Sequence, residues 1–144
     1  MFKSARQALV DNSDLLAWII AVLASAISLS LSEVFHLTPC VLCWYQRICM
    51  YPQAVIIGVG YVRKDKNWPL TALPLLAVGW LIASFHTLLQ WHIIPETLAP
   101  CVTGVSCTTK QINWFGFLTI PFMSWIAFSG IIVLTVIFMR RNHD

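Results

Sequence analysis

Cys40 and Cys43 stand three residues apart in the run Cys40-Val41-Leu42-Cys43-Trp44-Tyr45-Gln46-Arg47, where one long apolar stretch ends and the next begins. The thiolate is the reactive form of cysteine, and both the CxxC spacing and a neighbouring positive charge favour it. The spacing lets the two sulfurs meet across one turn, so a reversible disulfide is geometrically feasible. A dithiol at a membrane edge with a cation one helical turn away reads first as a redox device. Arg47 lies at i+4 from Cys43, so on a helix the two share a face. Its guanidinium there can hold a thiolate or polarise the oxygen of a ligand. The competing role is an interfacial anchor that snorkels to lipid phosphates.

Three further cysteines complete the set: Cys49, Cys101 and Cys107. For Cys101 and Cys107, separated by five residues, a structural disulfide and a redox pair are equally compatible with the spacing. For Cys40 and Cys43 the structural reading is weaker, because so small a loop gives a disulfide little entropic leverage. A four-sulfur zinc or copper site is the next competitor. It is disfavoured because Arg47 adds no needed charge to it, and no conspicuous His or carboxylate ligands flank either pair. No metal ligands are assigned. Cys49 is unpaired in this scheme and reads as a small apolar residue within its helix.

His86 and Gln90 form an i, i+4 pair in an otherwise apolar segment. Polar groups at such depth either carry function or make an interhelical hydrogen bond. His86 can alternatively donate to a carbonyl oxygen of a ring-shaped redox ligand. Glu33 and His36 read as the wet end of a helix. Trp44, Trp68, Trp91 and Trp114 fall near expected interfaces, where aromatic belts occur.

The elements that must position these residues follow from hydropathy. Of the 144 residues, 58% are hydrophobic and only 10% are charged, whereas a soluble domain carries about a quarter charged residues. The mean hydropathy of +0.76 agrees. Lipid is therefore the expected solvent. Segments at about 15–34, 43–62, 70–91 and 117–139 each approach the roughly 20 residues that cross the hydrocarbon core. The second is the weakest, with Gln46 and Arg47 in its first turns. Backbone amides need partners inside lipid, so all four are expected to be helices. Pro74 and Pro121 are expected in first turns, where a missing donor costs little, and Pro52 is expected to kink the second span. The expectation is an all-α integral membrane protein: one domain over 1–144, built as a four-transmembrane-helix bundle.

Basic residues orient it. Lys3 and Arg6, then Arg63, Lys64 and Lys66, then Arg140 and Arg141 fall on one side of a four-span chain. Only Arg47 and Lys110 lie toward the other. The positive-inside rule puts both termini in the cytoplasm, leaving two extracytoplasmic loops at about 35–42 and 92–116. Both cysteine pairs lie in or beside those loops, on the disulfide-permissive side. The first apolar run continues past Ala24-Ser25-Ala26 and is too long for a cleaved signal core, so it is expected to be retained.

The run from Cys40 to Arg47 resembles the signature of the DsbB family of membrane thiol oxidases. So do His86-Thr87-Leu88-Leu89-Gln90 and Phe115-Gly116-Phe117-Leu118-Thr119-Ile120-Pro121. The short second pair is most similar to the compact BdbC branch of Gram-positive bacteria. The resemblance implies residence in a bacterial cell membrane and a two-electron relay, with no nucleic-acid partner. A secreted or membrane-anchored thioredoxin-like thiol oxidase would deliver electrons to Cys101–Cys107, with Cys101 forming the mixed disulfide. Thiol–disulfide exchange would pass them to Cys40–Cys43. Cys43 would face a quinone of the menaquinone or ubiquinone type, with Arg47 and His86 lining the ring's site. A cation near Cys43 promotes such exchange. Five residues between Cys101 and Cys107 restrict the swing that longer loops in the family allow.

Two other classes compete. A vitamin K epoxide reductase-like enzyme shares a four-helix core and a CxxC motif, but its CxxC is expected late in the bundle. A non-enzymatic metal-binding or structural four-span protein with stapled loops would bind no quinone, and Cys40→Ala would lower its stability without abolishing a turnover.

Overall fold

The computed structural model describes the backbone of residues 2–99, 105–108 and 119–143, and side chains within 7–99, 105–108 and 119–142. Cys101, Lys110, Trp114 and the stretch Phe115–Leu118, including the expected start of the fourth span, lie outside the described residues. Among the described residues five α-helices follow one another: α1 (Phe2–Asp11), α2 (Ser13–Glu33), α3 (Val41–Arg63), α4 (Trp68–Gln90) and α5 (Ile120–His143). A short 3-10 turn, Glu96–Leu98, lies after α4.

Successive long helices pack side by side, and α5 closes back onto α2, so α2 to α5 form a four-membered ring. α2, α4 and α5 are each long and apolar enough to cross a membrane by length and composition. α3 has the length, at 23 residues, but Gln46, Arg47 and Gln53 interrupt its apolar surface. The buried centre is built from Ala17 and Ala21 of α2, Ile57 of α3, Leu76 and Ala83 of α4, and Phe128 and Ile131 of α5. Small residues let helices approach where the hydrophobic effect gives no net drive between them. Gly79 is the tightest case: a Cβ there would collide with the Phe128 ring and lie 2.9 Å from the Cys49 Cβ. Cys49 is thus a packed, free thiol in the centre of the bundle.

Polar side chains inside the bundle bridge helices. Trp18 Nε1 donates to the Ala54 carbonyl at 3.0 Å, and Trp80 Nε1 donates to Ser129 Oγ at 2.9 Å. Gln53 Nε2 donates to the Ala72 carbonyl at 3.2 Å.

Three features differ from the sequence expectation. α4 begins at Trp68, so Pro69 occupies the donor-free first turn and Pro74 lies inside the helix. Trp68 is 3% exposed, packed on Phe138 at 5.3 Å between ring centroids. It is a core residue rather than a belt residue, and Gly60 makes the room for it. α1 is an additional helix, tied to the end of α5 by Arg141, whose guanidinium donates to the Val10 carbonyl at 3.0 Å. Pro52 lies inside α3, where the sequence placed it.

Candidate functional site

Cys40 immediately precedes α3 with extended backbone, and Cys43 follows in the first turn. Their sulfurs are 3.2 Å apart and both are free thiols. The helix start therefore delivers the dithiol geometry that the spacing called for. Cys40 is 7% exposed and packs with Leu42, Leu89 and Cys107 in one small buried cluster. Cys107 is disulfide-bonded, so a reduced pair and an oxidised cysteine share a single apolar patch. Cys101 lies outside the described residues.

His86, near the end of α4, is fully buried against this patch. Its Nε2 is 3.7 Å from Cys40 Sγ and 3.2 Å from the Cys107 carbonyl oxygen, and its Nδ1 is 3.0 Å from Gln46 Nε2. A carbonyl only accepts, so Nε2 carries the proton of that bond. In the neutral ring Nδ1 then accepts from the Gln46 amide; a doubly protonated ring would donate to the amide oxygen once the amide turned over. Gln90 Nε2 also donates to the Cys107 carbonyl, at 3.4 Å. The i, i+4 pair of α4 thus holds the main chain of the second cysteine loop.

The same loop is tied from its other side. Ser106 Oγ and Thr108 Oγ1 donate to Glu96 Oε1, the latter at 2.9 Å. Those hydroxyls, Ser106 foremost, hold the Glu96 carboxyl below its ordinary value. The Cys40 thiol is drawn down from 9.0 to about 4, with the hydrogen bond from Cys43 the largest of the causes. Burial opposes this, while His86 adds a hydrogen bond and Coulombic attraction.

Arg47 faces α2. Its Nε donates to Ser28 Oγ at 2.9 Å, and one terminal nitrogen donates to the Ser28 carbonyl at 2.8 Å and to Ser32 Oγ. Its guanidinium carbon lies 5.3 Å from the centre of the Trp44 ring. Arg47, Cys43 and Gln46 border a cavity of about 440 Å³ between α2, α3 and α5, whose other walls are mostly apolar, including Leu23, Ile27 and Met123. That volume lies in the usual range for a small-molecule site of roughly 300–1,000 Å³. His86 is not among the residues bordering it. The sulfurs separate the two: Cys43 faces the cavity with Arg47, and Cys40 faces His86 and Cys107.

Residues 12–138 match the family described as disulfide bond formation protein DsbB. The chain belongs to the DsbB family. A probable disulfide formation protein of Oceanobacillus iheyensis is 43% identical over 133 residues, covering 92% of each chain. Disulfide bond formation protein C of Bacillus subtilis (strain 168) is 42% identical over 123 residues, 85% of this chain and 86% of that one. The likeness to the compact Gram-positive branch is thereby established. A probable disulfide formation protein of Metapseudomonas resinovorans is 38% identical over 132 residues, 91% of this chain and 92% of that one. No solved structure matches the chain.

In this DsbB-family chain, Gln46 is the site residue that sequence reasoning passed over. It borders the cavity on one side and bonds His86 on the other. Its signal was available: an amide three residues after Cys43, one helical turn along. Glu96, Ser106 and Thr108 had no such signal, since their meeting depends on the path of a loop.

Proposed function

We propose that this chain is a quinone-dependent disulfide oxidoreductase that reoxidises a thioredoxin-like thiol oxidase outside the cytoplasm of a bacterial cell. One observation carries the reading: a close dithiol with an apolar, cation-bordered cavity on one sulfur and a disulfide-bonded cysteine packed beside the other. α3 serves as the fourth span, supported by its length and by its packing between α2 and α4. The whole chain acts as one membrane domain. Both termini face the cytoplasm, supported by the positive-inside rule and by Arg141 meeting the α1–α2 junction at the end of the bundle remote from the cysteines.

The relay runs through the chain's own sulfurs. The resemblance to the DsbB family implies that Cys101 is the partner of Cys107, which is disulfide-bonded. A thiolate of the partner attacks Cys101, and Cys107 leaves as a thiolate. Cys107 then attacks Cys40 of an oxidised Cys40–Cys43 pair, freeing Cys43 toward the cavity. The partner's second thiol displaces Cys101, which attacks Cys107 and restores the outer disulfide. Cys40 and Cys43 are left reduced, holding the two electrons. Packing of Cys107 beside Cys40 means that the exchange needs no long swing of the short loop.

The cavity suits a quinone ring and the start of its tail, because its walls are apolar and its polar edge is Cys43, Gln46 and Arg47. A quinone supplies an acceptor for two electrons and two protons. Arg47 orients its oxygen, while His86 acts on the Cys40 side by stabilising the thiolate and holding the Cys107 loop. The test is to mix the purified chain in detergent with a reduced thioredoxin-like oxidase and a soluble quinone analogue, following quinone absorbance. Consumption that requires Cys40, Cys43, Cys101 and Cys107 supports the relay. Consumption that persists in Cys43→Ala overturns it.

A further inference from the structure

In the sequence, the charge of Arg47 and the lack of flanking His or carboxylate ligands disfavour a four-sulfur metal site, but the fold brings a nitrogen from another helix to the dithiol. Among the described residues, Cys40 Sγ, Cys43 Sγ and one ring nitrogen of His86 all lie within 4.8 Å of one another. Zinc–sulfur bonds of about 2.3 Å and zinc–nitrogen bonds of about 2.0–2.1 Å set the edges of a tetrahedral site. Those edges are about 3.8 Å between two sulfurs and about 3.6 Å between sulfur and nitrogen. The structure has 3.2 Å between the sulfurs and 3.7 Å from Cys40 Sγ to His86 Nε2. Small side-chain rotations separate the sulfurs enough.

We infer that the reduced Cys40–Cys43 pair, together with His86 Nε2, forms a binding site for a thiophilic divalent cation of the zinc or cadmium class. The charge balance suits the burial: two thiolates and one divalent ion are neutral together, so no net charge is left among Leu42, Leu89 and Cys107. Soft thiolate and imidazole donors select these ions over magnesium or calcium. The outer shell is also in place. A ligating histidine donates its other N–H to an acceptor that fixes the ring. The Gln46 amide stands 3.0 Å from Nδ1 and presents its oxygen once turned over.

Coordination requires Nε2 to give up its proton and its bond to the Cys107 carbonyl, which keeps the bond from Gln90. Any thiol proton still held leaves to solvent, the ring stays neutral by carrying its proton on Nδ1 instead of Nε2, and no electron moves. The fourth position goes to solvent, since no further cysteine, histidine or carboxylate joins this group among the described residues. The metal and the Cys40–Cys43 disulfide exclude each other, so the site exists only in the reduced half of a redox cycle. Its effect on turnover rests on the relay proposed above; the binding itself does not.

The test uses the full chain in detergent, reduced and freed of reductant, with cadmium ion as probe. One cadmium per chain is expected, with a cadmium–thiolate ultraviolet band that persists in a Cys101→Ser/Cys107→Ser background and vanishes when Cys40–Cys43 is oxidised. Cadmium-113 spectra of wild-type chain carrying nitrogen-15 histidine should show cadmium–nitrogen coupling, a readout that needs no folded variant. Gln46→Leu should weaken binding about 10–100-fold, as loss of an outer-shell partner does. Absence of binding, unchanged binding in the oxidised chain, or bound cadmium without histidine coupling each overturns the site. Cadmium that binds with histidine coupling yet leaves quinone reduction running would retain the site and count against the relay instead.

Discussion

The low Cys40 pKa makes a quantitative claim about how many protons accompany the two electrons. With Cys40 pulled from 9.0 down to about 4, reduction of the Cys40–Cys43 disulfide near neutrality yields one thiolate and one thiol. Only one proton is then taken up for two electrons. For a two-electron couple a tenfold change in equilibrium corresponds to 29.6 mV, so the reduction potential should fall by about 30 mV per pH unit. An ordinary dithiol takes up two protons and falls by about 59 mV per unit. Between pH 5 and pH 8 the two cases amount to about 90 mV and about 180 mV, a difference no redox titration would miss.

The sign follows from linkage. A depressed thiol pKa stabilises the folded reduced chain, fully above the unfolded value near 9, decreasingly between the two values, and not at all below about 4. The slope should therefore steepen toward about 59 mV per unit as pH drops through about 4. The assay is equilibration with thiol–disulfide buffers at stepped pH, with a chelator present. A Cys101→Ser/Cys107→Ser background isolates the inner pair. Replacing His86 by Gln removes one of the groups that lower the pKa, so the bend should move to higher pH. A slope of about 59 mV per unit across the whole range from pH 5 to 8 would refute the thiolate assignment.

Three other perturbations have definite outcomes. Arg47→Ala removes the cation that the proposed function sets against the quinone oxygen at the cavity edge. Hydrogen bonds of charged groups are worth about 1.5–3 kcal/mol, so KM for a quinone analogue should rise about tenfold or more, measured by steady-state quinone loss. Gly79→Ala forces a methyl into Phe128 and Cys49; overpacking of this kind costs about 1–3 kcal/mol, seen as a lowered thermal midpoint in detergent. Glu96 is held below its ordinary pKa first by Ser106 and then by Thr108. Its tether to the Cys107 loop is complete above the unfolded carboxyl pKa and is lost as pH falls through the lower folded value. Protection factors for hydrogen exchange at residues 105–108, taken against the intrinsic rate at each pH, should therefore fall on acidification, and Glu96→Gln should remove that pH dependence.

Much of this architecture was legible in the sequence because membrane helices announce themselves by composition. The apolar runs around 15–34, 70–91 and 117–139 correspond to α2, α4 and α5, each apolar enough to span. α3 is less apolar than the other long helices because it carries polar groups of the site, Gln46 and Arg47 among them. The closeness of the two sulfurs followed from their spacing, and their position at the start of α3 from the boundary between two apolar runs. The division of labour around it did not. Arg47 and His86 are expected on one ligand by resemblance, yet they stand on opposite sides of the sulfur pair, because α4 approaches Cys40 while α2 and α5 enclose Cys43. Sequence shows which residues share a helix face, but not which neighbouring helix that face meets. Trp68 illustrates the same limit. Its type suits an interface, and only the gap at Gly60 reveals that it is buried.

The central claim is that electrons leave the chain from the Cys40–Cys43 pair into an acceptor seated beside Cys43. Single-turnover oxidation tests it most directly: reduce the Cys101→Ser/Cys107→Ser chain, remove the reductant, add excess quinone analogue, and follow both quinone loss and free thiols. The account predicts one quinone consumed per chain, with Cys40 and Cys43 converted to a disulfide and Cys49 left free. No quinone loss, or loss that leaves both thiols reactive, would contradict it.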